Sequence, residues 1–191
     1  MDVMPDRSAR RADRENNPFL DTVRVSTIAA FVVMAMSADA FAQTKSTDLV
    51  EVRQLSLELA NEIAWNALKA CRRQDAQIAV AVVDRGGRTQ VLLRDVLAGP
   101  HTIQVSQGKA VTALSFRIPT SQLASETGPG TPASGLRSVE GVTAVAGGLV
   151  IQSRGSIVGA IGVSGAPGPA NDEACAKAGI DSVVDRLALP D

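Results

Sequence analysis

The chain has 191 residues, the length of a single domain, and its 19 basic and 20 acidic side chains leave a formal net charge of −1. That balance gives neither a phosphate backbone nor an anionic membrane surface anything to attract it. Only 3% of the residues are aromatic, with one Trp and no Tyr, so stacking platforms for single-stranded nucleic acid are also missing.

The first 42 residues do not read as part of a fold. A polar, Arg-rich leader is followed by an apolar run over residues 28–36, with Arg24 before it and Ala40-Phe41-Ala42 after it. A basic flank, a short apolar core and a small-x-small ending are the parts of a signal peptide. The run is too short to span a bilayer as a helix, which takes about 20 residues. Arg10-Arg11 has no apolar residues directly behind it, so the general secretory route fits better than twin-arginine export. The expected organisation is a signal peptide and leader over 1–42 and one domain over 43–191, periplasmic or secreted, with no membrane contact after cleavage.

The mature chain opens with Leu49, Val52, Leu55, Leu59 and Ile63 at helical spacing. Ser46 or Thr47 is placed to cap that helix, and Lys69, Arg72 and Arg73 suit its C-terminal end. Residues 78–83 and 89–93 then read as two strands of a hairpin turning at Asp84-Arg85-Gly86-Gly87-Arg88. Residues 99–116 read as a second helix started by Pro100, with Gly108 weakening it by about 1 kcal/mol relative to Ala. Residues 117–137, rich in Pro, Gly, Ser and Thr, read as irregular. Three strands follow over 142–146, 149–153 and 157–163, the last two joined by Arg154-Gly155. A closing helix is capped by Asn171 or Asp172 and has Ile180, Val183, Val184 and Leu187 on its apolar face. Tight hairpins force antiparallel pairing, and near-continuous apolar strands require cover on both faces. The expected class is α+β, with a five-stranded antiparallel sheet flanked by helices.

Gly159, Gly162, Gly165 and Gly168, three residues apart, do not form a phosphate loop. A dinucleotide fingerprint needs G-x-G-x-x-G inside a βαβ unit, and here no strand follows the last helix. Gly108-Lys109 lacks both the earlier glycine and the following hydroxyl of a Walker motif. The glycines read instead as points of close packing and turn geometry, or as the wall of a ligand site.

Two cysteines and one histidine are too few for a structural zinc site, which takes four N or S ligands. An oxidising compartment permits a disulfide between Cys71 and Cys175 if the end of the first helix meets the start of the last. His101 reads either as a metal or haem ligand, as a general base, or as a solvated helix-start residue. Asp84 reads as a turn-former, and Asp172 and Glu173 as helix N-terminal charges. Lys109 reads as exposed, with a carboxylate or propionate partner as the alternative. Nothing in the chain has the form of a serine-nucleophile motif.

The stretches AVAVVDRGGRTQVLLRD, AGPHTIQVSQGKAVTALSFRIPTS, GVTAVAGGLVIQSRGSIVGAIGVSGAPG and DEACAKAGI, taken in this order, resemble the GlcG/HbpS family of haem-binding or haem-degrading-like domains. The resemblance covers residues 48–188 and departs at Gly148-Leu149-Val150, where the family commonly has a proline after Gly-Leu. It implies a profilin-like fold with a five-stranded antiparallel sheet, assembly into homo-oligomers, and haem as cofactor in some exported members. It also implies that the glycine-rich stretch is a structural signature. For the iron, the candidates carried onto this chain are His101 and the hydroxyls of Thr112 and Thr120, imidazole being the stronger ligand. Arg94, Lys109 and Arg117 are the candidate partners of haem propionates. The expected function is that of an exported haem-binding protein for sequestration, sensing or degradation. The alternatives are an enzyme or auxiliary protein acting on a small organic acid or another tetrapyrrole, and a structural oligomer without ligand.

Overall fold

The structure is a computed structural model that describes residues 48–50 and 52–188. The described residues from 52 onward belong to the second of two units of the chain. The expected leader, the signal peptide and the candidate caps Ser46 and Thr47 lie outside the described residues. Among the described residues no helix is long and apolar enough to cross a membrane.

The second unit runs α1 (Leu57–Arg72), β1 (Ala79–Asp84), β2 (Thr89–Arg94), α2 (His101–Phe116), α3 (Thr120–Glu126), a 3-10 turn (Ser134–Ser138), β3 (Gly148–Ser153), β4 (Ser156–Ser164), α4 (Pro169–Asp181) and α5 (Val184–Ala188). The strands form an antiparallel sheet of order β2-β1-β4-β3. Helix α1 starts later than its apolar spacing suggests, because Ser56 Oγ accepts the Leu59 N–H and caps it there. Leu49 and Val52 are consequently exposed and outside the helix.

Alternation along the strands sorts side chains to two faces. Val80, Val82, Ile161 and Val163 join Ile63, Ala64, Ala67 and Leu68 of α1 and Cys175 and Ala176 of α4 in the larger core. Val83 and Ala160 meet Ala110 and Ala113 of α2 on the other face. Cys71 and Cys175 are joined by a disulfide, Cα–Cα 5.5 Å, at the α1–α4 contact. The helices touch closely there, since a Cβ on Gly179 would lie 2.6 Å from the Ile63 carbonyl oxygen.

Helix α2 lies against a row of small residues. Ala81, Gly162 and Gly148 are register partners across β1, β4 and β3. A Cβ on Gly162 would stand 2.0 Å from the Ser106 carbonyl oxygen, and one on Gly148 would stand 2.4 Å from that of Lys109. The glycine spacing is therefore a bed for a helix backbone. Gly165, at φ +127°, and Gly168, at φ +91°, form the turn into α4. Gly168 takes the N-cap position with Pro169 behind it, which corrects the expected cap at Asn171 or Asp172.

Two further expectations are corrected. The described sheet has four strands, because residues 142–146 spend their amides elsewhere. The Val142 N–H donates to Val139 O, Val145 N–H to Thr143 O, and Thr143 N–H to Thr112 Oγ1, so no ladder can form. The segment expected to be irregular contains α3 and the 3-10 turn, where Arg137 donates to the carbonyls of Thr127 and Ala124. The closing helix also ends at Asp181, and Val184 on the following short helix is exposed while Val183 and Leu187 are buried.

Candidate functional site

Candidate side chains gather at three places, one interior and two on the surface. The first is interior. Lys109, expected on the outside, is 2% exposed, and Asp172 is 4% exposed. Lys109 Nζ donates to Asp172 Oδ2 at 2.8 Å and to the Val163 carbonyl at 2.9 Å. Asp172 Oδ1 accepts the Ala166 N–H at 2.8 Å. The ammonium thus ties α2 to the end of β4 and the start of α4. Gly147 leaves room for it, since a Cβ there would lie 2.9 Å from Nζ. Burial of both charges is tolerable because each is paired and hydrogen-bonded.

Thr112 and Thr120 flank this pair and are also buried. Thr120 Oγ1 accepts the Gly148 N–H at 2.8 Å, and Thr112 Oγ1 accepts the Thr143 N–H at the same distance. Both hydroxyls hold backbone. Glu173 extends the group by accepting from Ser121 Oγ at 2.7 Å and from the Gly147 N–H at 3.3 Å. Ser121, Leu149 and Glu173 line a shallow, mainly apolar pocket of about 280 Å³ beside it. Sequence reading missed Asp172 and Glu173 as partners of this group. Lys109 and Asp172 are 63 residues apart, and nothing local to either announces the other.

The second group is the corner between β2 and α2. Asp95, buried, anchors it by accepting from the Ile78 N–H at 3.1 Å and from the Arg72 guanidinium. Arg72 in turn lies over the Trp65 ring, 5.3 Å from its centroid. On this rigid base the loop displays Val96, 86% exposed, and Leu97, 80% exposed. Arg94, whose guanidinium donates to the Ala98 carbonyl, stands on one side of them. His101 stands on the other as the first residue of α2, exposed, with its ring against Gly99.

The third group lies at the opposite end of α2. Arg117 follows the helix's last residue, and 16 helical residues place it about 24 Å from His101. The structure therefore sets Arg94 and His101 at the two ends of one short loop, encloses Lys109, Thr112 and Thr120, and puts Arg117 elsewhere. Asp84 is a turn-former, its Oδ1 accepting the N–H groups of Gly86 and Arg88.

Residues 55–181 match the family model described as "Haem degrading protein HbpS-like". A Streptomyces reticuli HbpS double mutant is 36% identical, with 76% of this chain and 98% of that one covered and a TM-score of 0.68. The protein ORFY of Klebsiella pneumoniae is 27% identical over 75% of this chain and 97% of its own, with a TM-score of 0.69. An uncharacterized 15.0 kDa protein of the dhaT-dhaS intergenic region of Citrobacter freundii is 27% identical over 117 residues, which are 60% of this chain and 82% of that protein. The family model and the fold agree, and the chain belongs to the HbpS-like family.

Proposed function

We propose that this protein is exported and binds haem at the β2–α2 corner, sequestering or sensing it as a homo-oligomer. Membership of a family described as haem-degrading and HbpS-like carries a haem-related role. The corner supplies what a porphyrin needs from a surface. His101 is an exposed imidazole that makes no hydrogen bond among the described residues, and imidazole is a good iron ligand. Val96 and Leu97 are bare aliphatic side chains for the macrocycle, and Arg94 is a guanidinium for a propionate. Bound haem would supply a redox-active iron.

The protein's own part is positional. Asp95 and Arg72 hold the loop, Pro100 starts α2, and His101 projects from its first turn. One exposed patch covers one face of a flat ligand, so a second copy is the natural cover for the other, in keeping with the oligomer expected of the family. Thr112 and Thr120 do not enter this reading, because each hydroxyl already holds a backbone amide. Export is supported by the signal-peptide pattern of residues 28–42 and by the Cys71–Cys175 bond, which suits an oxidising compartment.

The test is a haemin titration of the purified protein, read by its Soret band, with His101→Ala alongside. A saturable, shifted band that loses at least tenfold in affinity in the variant is the expected result. A band unchanged in the variant would move the ligand away from His101, and no saturable band would overturn the haem reading.

A further inference from the structure

The β1–β2 turn, the β3–β4 turn and the C-terminus of α2 meet at one end of the sheet. They enclose a cleft of about 310 Å³ lined by Arg85, Leu114, Arg117, Gly155, Ser156 and Ile157. No acidic side chain lines it, and among the described residues neither guanidinium has a carboxylate partner. Arg85 is held by one hydrogen bond, from Nη1 to the Ile157 carbonyl at 2.9 Å. That contact aims the side chain along the cleft while leaving it other donors. Asp84, the nearest acid in sequence, is turned into its own hairpin by the Gly86 and Arg88 amides.

Arg117 is the more telling residue. Its backbone is left-handed, φ +60° and ψ +26°, at the position after a helix where glycine is the usual and less strained occupant. A long cationic side chain there accepts a backbone cost that glycine would avoid. Favourable interaction with the α2 carbonyls is one use, and the cleft offers another.

We propose that this cleft is a binding site for a small organic dicarboxylate. Arg85 and Arg117 each offer a planar fork that matches a carboxylate, and Leu114 and Ile157 supply aliphatic wall for a short carbon chain. The site is independent of the haem reading, since it lies at the other end of α2 from His101. The two propionates of haem present the same chemistry, so the experiment must separate that source from a free acid.

Titration calorimetry of the intact protein with succinate, and separately with haemin, makes the separation. The variants are Arg85→Gln, Arg117→Gly and, as a control outside the cleft, Arg73→Gln, an exposed residue after the end of α1. Glycine is at ease at position 117, so Arg117→Gly should melt no lower than the parent and report binding alone. Saturable succinate binding that weakens at least tenfold in Arg85→Gln and Arg117→Gly but not in Arg73→Gln is the expected result. If haemin alone binds with that same pattern, the site stands and its carboxylates are the propionates. If neither ligand saturates, if the cleft variants bind as the parent does, or if Arg73→Gln loses as much, the proposal is overturned.

Discussion

Lys109 carries the largest electrostatic commitment in the interior, and its worth depends entirely on Asp172. Replacing Lys109 with Met leaves the Asp172 carboxylate buried without its counter-charge. Such a break typically costs about 3–5 kcal/mol. Asn at position 172 keeps an oxygen for the Ala166 N–H while removing the charge. The double variant Lys109→Met with Asp172→Asn should therefore recover at least half of the stability lost by Lys109→Met alone. Urea unfolding of the two single variants and the double variant measures this coupling. Additive losses would show that the two side chains are not energetically paired.

At the scale of elements, the decisive contact is the backbone of α2 on the Ala81–Gly162–Gly148 row. A methyl group at Gly162 would sit 2.0 Å from the Ser106 carbonyl oxygen, so either the helix or β4 must move. Overpacking of this kind costs about 1–3 kcal/mol, and a rigid backbone on both sides puts Gly162→Ala at the upper end. For a domain of this size that is a fall of roughly 5–10 °C in Tm. Gly135→Ala is the matched control, because a Cβ there meets nothing within 4 Å and the substitution should leave Tm almost unchanged. The same contact explains Gly108, which weakens α2 as a helix. A Cβ on it would stand 2.4 Å from Thr143 Oγ1, so the passing 141–146 segment needs the glycine.

For the molecule as a whole, the Cys71–Cys175 bond closes a loop over a sequence separation of 104 residues around most of the fold. Loop-closure entropy for that length amounts to about 4–5 kcal/mol, and removal of native disulfides usually costs about 2–5 kcal/mol. Cys71→Ala with Cys175→Ala should lower the midpoint of denaturant unfolding by a corresponding amount, and dithiothreitol should do the same to the parent protein. An unchanged midpoint would mean that the α1–α4 contact, closed at Gly179, holds the fold without the bond. The proposal of export draws on the same chemistry, because disulfides form and persist most readily in an oxidising compartment.

Most elements were legible in the sequence because their signals are local. Apolar runs mark β1 and β4, Asp84 and the paired glycines mark one hairpin, and Arg154-Gly155 marks the other. Both residues of that second turn have positive φ, as a two-residue hairpin connection demands. The errors fell where a local signal met a distant competitor. Residues 142–146 have strand composition, but Thr112 on α2 takes one of their amides. The start of α1 was misplaced because apolar spacing continues upstream of the Ser56 cap. The sequence by itself determined a mixed helix and antiparallel-sheet class and the family, and left the glycines between close packing and a ligand wall. Only the tertiary structure decided that Lys109 is buried on Asp172 and that the Thr112 hydroxyl holds the Thr143 amide. Those pairings are set by how α2 lies across the sheet, a matter of backbone approach between segments dozens of residues apart, which no periodicity within either segment encodes.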